Sequence, residues 1–186
     1  MSTKKNPPNQ TIRVLKWLAK QRRLPESIFY ARLAAFPVVS LDLPTIITYG
    51  KKDPKVWDVA LEVRPRTEPF FGGQIVTNGW TLPNRKTLQQ ALAGYEAETG
   101  TKLQDTRGLK FAGIVSMPNQ VRGHAVVIVF AKAFLQKPRG YRGVVVKVSR
   151  ALGGLVKLSS ERLFLRLAYD CLRGRPPRFV EYLKKL

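Results

Sequence analysis

The chain is poor in the residues that build disulfides, metal clusters and acid–base machinery. Its 186 residues include 1 cysteine, 1 histidine and 12 acidic residues. A single cysteine excludes an internal disulfide framework and leaves no cysteine-based zinc pattern. Cys171 sits in the apolar run 165–172 and reads as a core filler. His124 has no partner at H-x-x-x-H spacing. With Ser40, Ser116 and Ser160 it gives no recognisable triad, so it reads as a structural or exposed side chain. Long apolar runs are missing as well. None approaches the roughly 20 residues of a membrane-spanning helix, and the first residues form no apolar signal segment. The expectation is a protein of the cytoplasm or another reducing intracellular compartment, without a transmembrane segment.

What the chain has in excess is positive charge. There are 33 lysines and arginines, for a net charge of +21. Residues 1–55 hold 11 basic and 3 acidic side chains, residues 56–131 hold 8 and 6, and residues 132–186 hold 14 and 3. The middle is nearly neutral and both flanks are cationic. Such an excess repels itself in a folded protein and points to a polyanionic partner. Nucleic acid comes first, because neutralised phosphates release counterions and give sequence-independent affinity. An acidic membrane surface is the second candidate, and an acidic protein partner is a third reading of a basic face.

The most informative stretch is 79–100, G-W-T-L-P-N-R-K-T-L-Q-Q-A-L-A-G-Y-E-A-E-T-G. Trp80-x-Leu82-Pro83 followed by Glu98-Thr99-Gly100 resembles the frame of the Nudix box, G-x5-E-x7-R-E-U-x-E-E-x-G-U, where U is a bulky aliphatic residue. That motif belongs to hydrolases of nucleoside diphosphates linked to another group. The resemblance implies a strand–loop–helix in which carboxylates hold divalent metal. In this chain only Asn84, Arg85 and Lys86 separate Pro83 from Thr87, a shorter and cationic loop. Counting back from Gly100, the pattern's R-E pair falls on Ala93-Gly94 and its E-E pair on Ala97-Glu98. Glu98 is the surviving carboxylate, a remnant both as catalytic residue and as metal ligand. Mg²⁺ prefers a near-octahedral oxygen shell anchored by carboxylates and substrate phosphates. Glu96 and Glu98 are two residues apart on a helix and point to different sides.

The resemblance covers roughly residues 24–174. Leu24-Pro-Glu-Ser-Ile-Phe and Phe36-Pro-Val-Val-Ser-Leu-Asp-Leu are similar to the opening of the GDP-mannose mannosyl hydrolase branch. Asp58-Val-Ala-Leu-Glu-Val-Arg resembles the second strand, and Phe111-Ala-Gly-Ile-Val with Gly123-His-Ala-Val-Val-Ile-Val-Phe the next strand pair. The fold implied is a Nudix-like α/β/α sandwich with a mixed sheet. Three segments are expected: a basic tail and helix over 1–23, a Nudix-like domain over 24–175, and a basic C-terminal helix over 176–186. Nudix-like domains without hydrolysis occur in the superfamily.

Local patterning places the elements. Thr11 opens an amphipathic helix to about Gln21, with Ile12, Leu15 and Leu18 on one side. A short helix follows over 25–33. Val- and Ile-rich strands are expected over 37–48, 55–64, 109–116, 122–133 and 142–148. The box helix is expected over 87–98. Ser159 or Ser160 caps a helix that Gly174 ends, and a last helix covers 178–186. Gly72-Gly73 is short and flexible enough to approach a phosphate. Two basic lobes suit nucleic acid: Lys16, Lys20, Arg22 and Arg23 at the front, and Lys137, Arg139 and Arg142 around Tyr141 in a Gly- and Pro-containing loop.

These observations lead to a Nudix-fold protein with a reduced box that acts as a non-catalytic nucleic-acid-binding or structural module, with RNA favoured. The alternative is a divergent Nudix hydrolase acting on a nucleoside diphosphate-linked substrate such as a nucleotide sugar. No cofactor is expected in the first case; Mg²⁺ or Mn²⁺ would be required in the second, with a nucleotide ligand.

Overall fold

Pro44 splits the first apolar run into two strands, because proline cannot donate to a sheet ladder. In the computed structural model β1 spans Val38–Asp42 and β2 spans Thr45–Ile47. The structure describes residues 38–67, 71–81, 87, 89–90, 92–93, 96, 108–120, 123–138, 141 and 143–183. The expected helices over 11–21 and 25–33 lie outside these residues.

β3 (Asp58–Val63), β4 (Ile75–Val76), β5 (Gly79–Thr81), β6 (Lys110–Gln120), β7 (Gly123–Phe134) and β8 (Val144–Lys147) follow. β7 is the axis of the sheet. It pairs in parallel with β1 through Leu41 opposite Ile128 and with β2 through Ile46 opposite Ala133. Its other edge takes β6 antiparallel, with a register shift between Phe111 and Gly113. β5 adds antiparallel to β1, and β3 adds to β2, carrying β8 and β4 beyond it. The sheet is therefore mixed, as the resemblance implied.

Alternate side chains leave the sheet on opposite faces. On one face Val59, Leu61, Val115, Val127 and Val129 form the larger core. It is covered by α1 (Val148–Arg150), which runs on into a wider turn over Ala151–Leu155, and by α2 (Ser159–Leu172). Phe164, Leu165, Leu167, Ala168 and Cys171 are the buried apolar stripe of α2. On the other face Leu43, Ile47, Ala60 and Phe134 meet Leu92 of the box helix and Tyr141. Helices thus lie on both faces of the sheet.

The box helix begins where the sequence placed it. Thr87 Oγ1 accepts from Gln90 N at 3.2 Å, and Gln90 Oε1 accepts from Thr87 N at 2.9 Å. This reciprocal pair satisfies two orphan donors of the first turn. Gln89, Gln90, Leu92, Ala93 and Glu96 are helical. At the far end of α2, Gly174 takes φ +84° and its amide donates to Cys171 O at 3.0 Å, the left-handed stop expected there. The start of α2 differs from expectation. Leu158 is the N-cap and gives no side-chain cap, while the Ser159 hydroxyl instead meets the Tyr182 hydroxyl.

The C-terminal helix expected over 178–186 is corrected. Arg178–Glu181 forms β9, parallel to β6, with Phe179 opposite Ile114 and Val180 opposite Val115. Pro176-Pro177 delivers the chain extended, and Phe179-Val180 suits a pleated edge better than a helix. Asp170, buried on α2, receives Arg178 at 2.9 Å and Arg175 at 3.5 Å and sets the entry to this strand. Residues 178–181 are therefore part of the sheet. No helix among the described residues is long and apolar enough to cross a membrane.

Candidate functional site

The strand that enters the box, β5, is held by a buried polar cluster. Asp42 ends β1, Thr77 lies between β4 and β5, and Glu161 stands in the first turn of α2. Thr77 Oγ1 lies 3.0 Å from Asp42 Oδ2 and 2.5 Å from Glu161 Oε2, and Thr77 N donates to the same Glu161 oxygen at 3.0 Å. A hydroxyl has one proton to give. If both short contacts are hydrogen bonds, Thr77 donates to one carboxylate and accepts from the protonated carboxyl of the other. Asp42 is 4% exposed, and its Oδ1 has no hydrogen-bond partner among the described residues. Burial, aided by the charge of Glu161 and opposed by Thr77 and Arg64, holds the Asp42 carboxyl well above its usual range. Burial also raises Glu161, against its Thr77 hydrogen bonds and Arg64. Gly79 packs closely here: a Cβ at that position would stand 3.0 Å from Asp42 Oδ2, so the carboxyl would have to give way by a few tenths of an ångström.

Beside it, Asn78 joins three segments on the opposite face. Its side-chain amide donates to Thr45 Oγ1 at 3.1 Å, its backbone carbonyl accepts from Leu43 N at 2.9 Å, and its Oδ1 accepts from the Tyr141 hydroxyl at 3.3 Å. Tyr141 was expected to offer its ring to nucleotide bases. The structure corrects this: Tyr141 is 9% exposed and belongs to the core cluster with Leu43 and Leu92. A phenol whose ring fills an apolar site and whose hydroxyl reaches a buried amide has no free face for stacking.

Other expected residues fall as follows. Lys137 is exposed just after β7. Arg139, Arg142, Lys16, Lys20, Arg22, Arg23 and Glu98 lie outside the described residues. Gly73 is not a phosphate cradle: its amide donates to Arg64 O at 3.0 Å and closes the turn between β3 and β4. Ser116 and His124, unrelated in sequence, meet across the β6–β7 hairpin with Ser116 Oγ 3.1 Å from His124 Nε2. The Cys171 thiol is buried and raised by that burial, with Lys110 acting against the rise.

The box resemblance implies a divalent ion on the box helix. Ala93 occupies a position of the pattern's R-E pair, and Glu96 is half-buried and alone among the described box residues in carrying a carboxylate. Among the described residues no three His, Cys, Asp or Glu side chains gather closely enough to hold a metal. Those residues do not fit a carboxylate-anchored Mg²⁺ or Mn²⁺.

A second feature lies at the other end of α2. A cleft of about 640 Å³ opens between the turn after β2, the start of β6 and the C-terminus of α2. Lys51, Lys52, Lys110, Lys132 and Arg173 line it over Trp57, and none of the described lining residues is a carboxylate. Sequence reading missed the cleft because its cations come from four separate segments.

The fold so assembled is the Nudix fold. A Nudix hydrolase from Nitrosomonas europaea superposes with a TM-score of 0.55 at 15% identity, over 80% of this chain and 80% of that one. The Nudix domain of Shewanella oneidensis NrtR, in complex with ADP ribose, gives 0.53 at 16% identity, over 80% and 99%. The C-terminal domain of mouse MUTYH, in complex with human PCNA, gives 0.54 at 14%, over 77% and 94%. No family model and no curated protein matches the sequence.

Proposed function

We propose that this protein is a non-hydrolytic Nudix-fold module that binds nucleic acid, RNA before DNA. The observation that carries this reading is the exchange of charge within the motif and around it. Alanine and glycine stand at 93, 94 and 97 where the pattern has its R-E pair and one of its two glutamates, while the chain as a whole reaches +21. A site that has lost carboxylates activates water poorly through metal. A surface that has gained cations attracts phosphates. Lys16, Lys20, Arg22 and Arg23 form one proposed contact lobe, and Lys137, Arg139 and Arg142 another.

The second reading is a divergent hydrolase of the GDP-mannose mannosyl hydrolase type. It is supported by the neighbour in complex with ADP ribose and by the carboxyl pair Asp42–Glu161 beside β5. Under that reading Mg²⁺ or Mn²⁺ would supply Lewis acidity, with Glu98 among its ligands.

Two measurements decide between them. Nucleoside diphosphate sugars, dinucleoside polyphosphates and capped RNA are assayed with Mg²⁺ and Mn²⁺, and no significant turnover is expected. Turnover of about 1 s⁻¹ or more, abolished by Glu98→Gln, would overturn the first reading. Labelled RNA and DNA are titrated from about 50 to 200 mM salt, with affinity expected to fall steeply.

A further inference from the structure

We propose that the cleft floored by Trp57 is a phosphodiester-backbone site, which takes nucleic acid without regard to base sequence. The proposal rests on the nucleic-acid reading above and places it at one location away from the box.

The charged residues described in the lining of the cleft are all cationic. Lys51, Lys52, Lys110 and Arg173 are exposed at it, Lys132 is half-buried, and none of the described residues lining it is a carboxylate. Among the described residues near it, the Asp53 side chain accepts from Lys55 N at 2.9 Å and Asp58 pairs with Lys147 at 2.8 Å. The exposed cations Lys51, Lys52, Lys110 and Arg173, gathered above a low-dielectric floor, focus the field on an approaching anion.

The cations are also placed by rigid elements. Lys51 follows a left-handed turn at Tyr49 and Gly50 (φ +54° and +70°), with its amide donating to Thr48 O at 2.9 Å. The Trp57 indole donates to Lys51 O at 2.8 Å and fixes that turn to the floor. Lys110 opens β6 and Arg173 caps α2. The Arg173 guanidinium lies 5.4 Å from the Tyr169 ring centroid, which holds it at the cleft.

The same contacts exclude base reading by stacking. Trp57 is 6% exposed, its N–H is committed to Lys51, and its ring meets Tyr169 edge-on at 5.8 Å. Tyr169 carries Arg173. Stacking on single strands needs a free aromatic face; the buried Trp57 ring offers none, and the Arg173 guanidinium lies over the Tyr169 ring. Most of the cations are lysines, point charges that suit phosphate oxygens and lack the fork that reads guanine. The ligand chemistry is therefore the sugar–phosphate backbone.

The test uses the full chain and labelled homopolymer DNA strands of about 20 nucleotides, titrated between about 50 and 200 mM salt. Lys110→Ala with Arg173→Ala removes two contacts and is expected to weaken binding about tenfold or more at low salt. It should also flatten the log–log salt slope by about 1.4, at 0.7 per single-strand phosphate. Lys51→Ala with Lys52→Ala, on an exposed turn, should act alike and guards against a folding defect in the first pair. Lys157→Ala with Arg166→Ala removes two exposed cations outside the cleft and is expected to leave the slope unchanged. Oligo-dT, oligo-dA and oligo-dC should bind within about threefold of one another. Wild-type binding with both cleft pairs equal to wild type would overturn the cleft assignment alone, and so would a base preference above tenfold. No wild-type binding to any of these strands or to oligo-U and oligo-A RNA of the same length, or tighter binding to polyglutamate, would overturn the nucleic-acid reading itself.

Discussion

The Tyr141 hydroxyl donates to Asn78 Oδ1 at 3.3 Å, tying the loop before β8 to the residue that precedes β5. Both partners are buried. Tyr141→Phe should cost about 1 kcal/mol, the net worth of one neutral hydrogen bond plus the unpaired amide oxygen it leaves. Tyr141→Ala should cost about 3–5 kcal/mol, as for other buried aromatics. Nucleic-acid affinity per folded molecule should not change in Tyr141→Phe. Urea unfolding and oligonucleotide titration of the two variants check both statements. A selective loss of single-strand binding in a fully folded Tyr141→Phe would show that the phenol faces the ligand after all.

The carboxyl pair around Thr77 predicts a pH dependence of stability. The ordinary values are 3.8 for Asp42 and 4.5 for Glu161, and both are raised in the fold, by burial first. The folded state then binds more protons than the unfolded state above about pH 4. The contribution of the pair is complete below the ordinary carboxylate range and is lost as pH rises through the raised values. Asp42→Asn keeps the shape and removes that titration. Urea midpoints compared at acidic and mildly alkaline pH should show a smaller decline in Asp42→Asn than in wild type. Equal declines would mean that the pair does not share a proton in solution.

Leu92 is 4% exposed and is the box-helix residue packed against Leu43, Ile47 and Ala60. Leu92→Ala should cost about 2–5 kcal/mol. Exposed Gln89→Ala on the same helix should stay within about 0.5 kcal/mol. Thermal melts of both variants test whether this face of the helix seats on the sheet.

Asp170 is buried and receives two arginines that are about half exposed. Solvent screening reduces the worth of each pair, yet removing the shared carboxylate strands both guanidiniums. Asp170→Asn should destabilise by about 1–3 kcal/mol and should raise hydrogen exchange at Arg178–Glu181 before it affects β7. Unchanged exchange at β9 would show that its backbone pairing with β6 suffices to hold it.

The core strands and the box helix were legible because their signals are local. Val- and Ile-rich runs bounded by Gly and Pro mark β3, β6 and β7, and Thr87-x-x-Gln90 carries a capping pair three residues apart. β9 was misread because four residues after Pro176-Pro177 have no periodicity of their own; their conformation comes from β6, far away in sequence. Tyr141 was misread for a similar reason: a tyrosine among arginines looks like a stacking element until Asn78 accepts its hydrogen bond. The Asp42–Glu161 pair had no signal, since its members stand near opposite ends of the described chain and only Thr77 joins them. The basic cleft was legible as a surplus of charge and illegible as a place.

The placement of β7 at the axis bears on how the chain acquires its structure. β7 pairs locally with β6 through a tight hairpin, but its other edge waits for β1 and β2. The Thr48 hydroxyl donates to Phe134 O across 86 residues of sequence. Closing loops of that size before any contact rewards them slows folding, and sheets built on distant pairings fold in milliseconds to seconds. The β6–β7 hairpin is then the natural nucleus, and its unpaired edge is exposed until the first strands return. Substitutions inside the hairpin, such as Val129→Ala, should slow folding, whereas substitutions in β1 should chiefly speed unfolding. The same open edge makes a partly folded chain the species most prone to pair with another copy of itself.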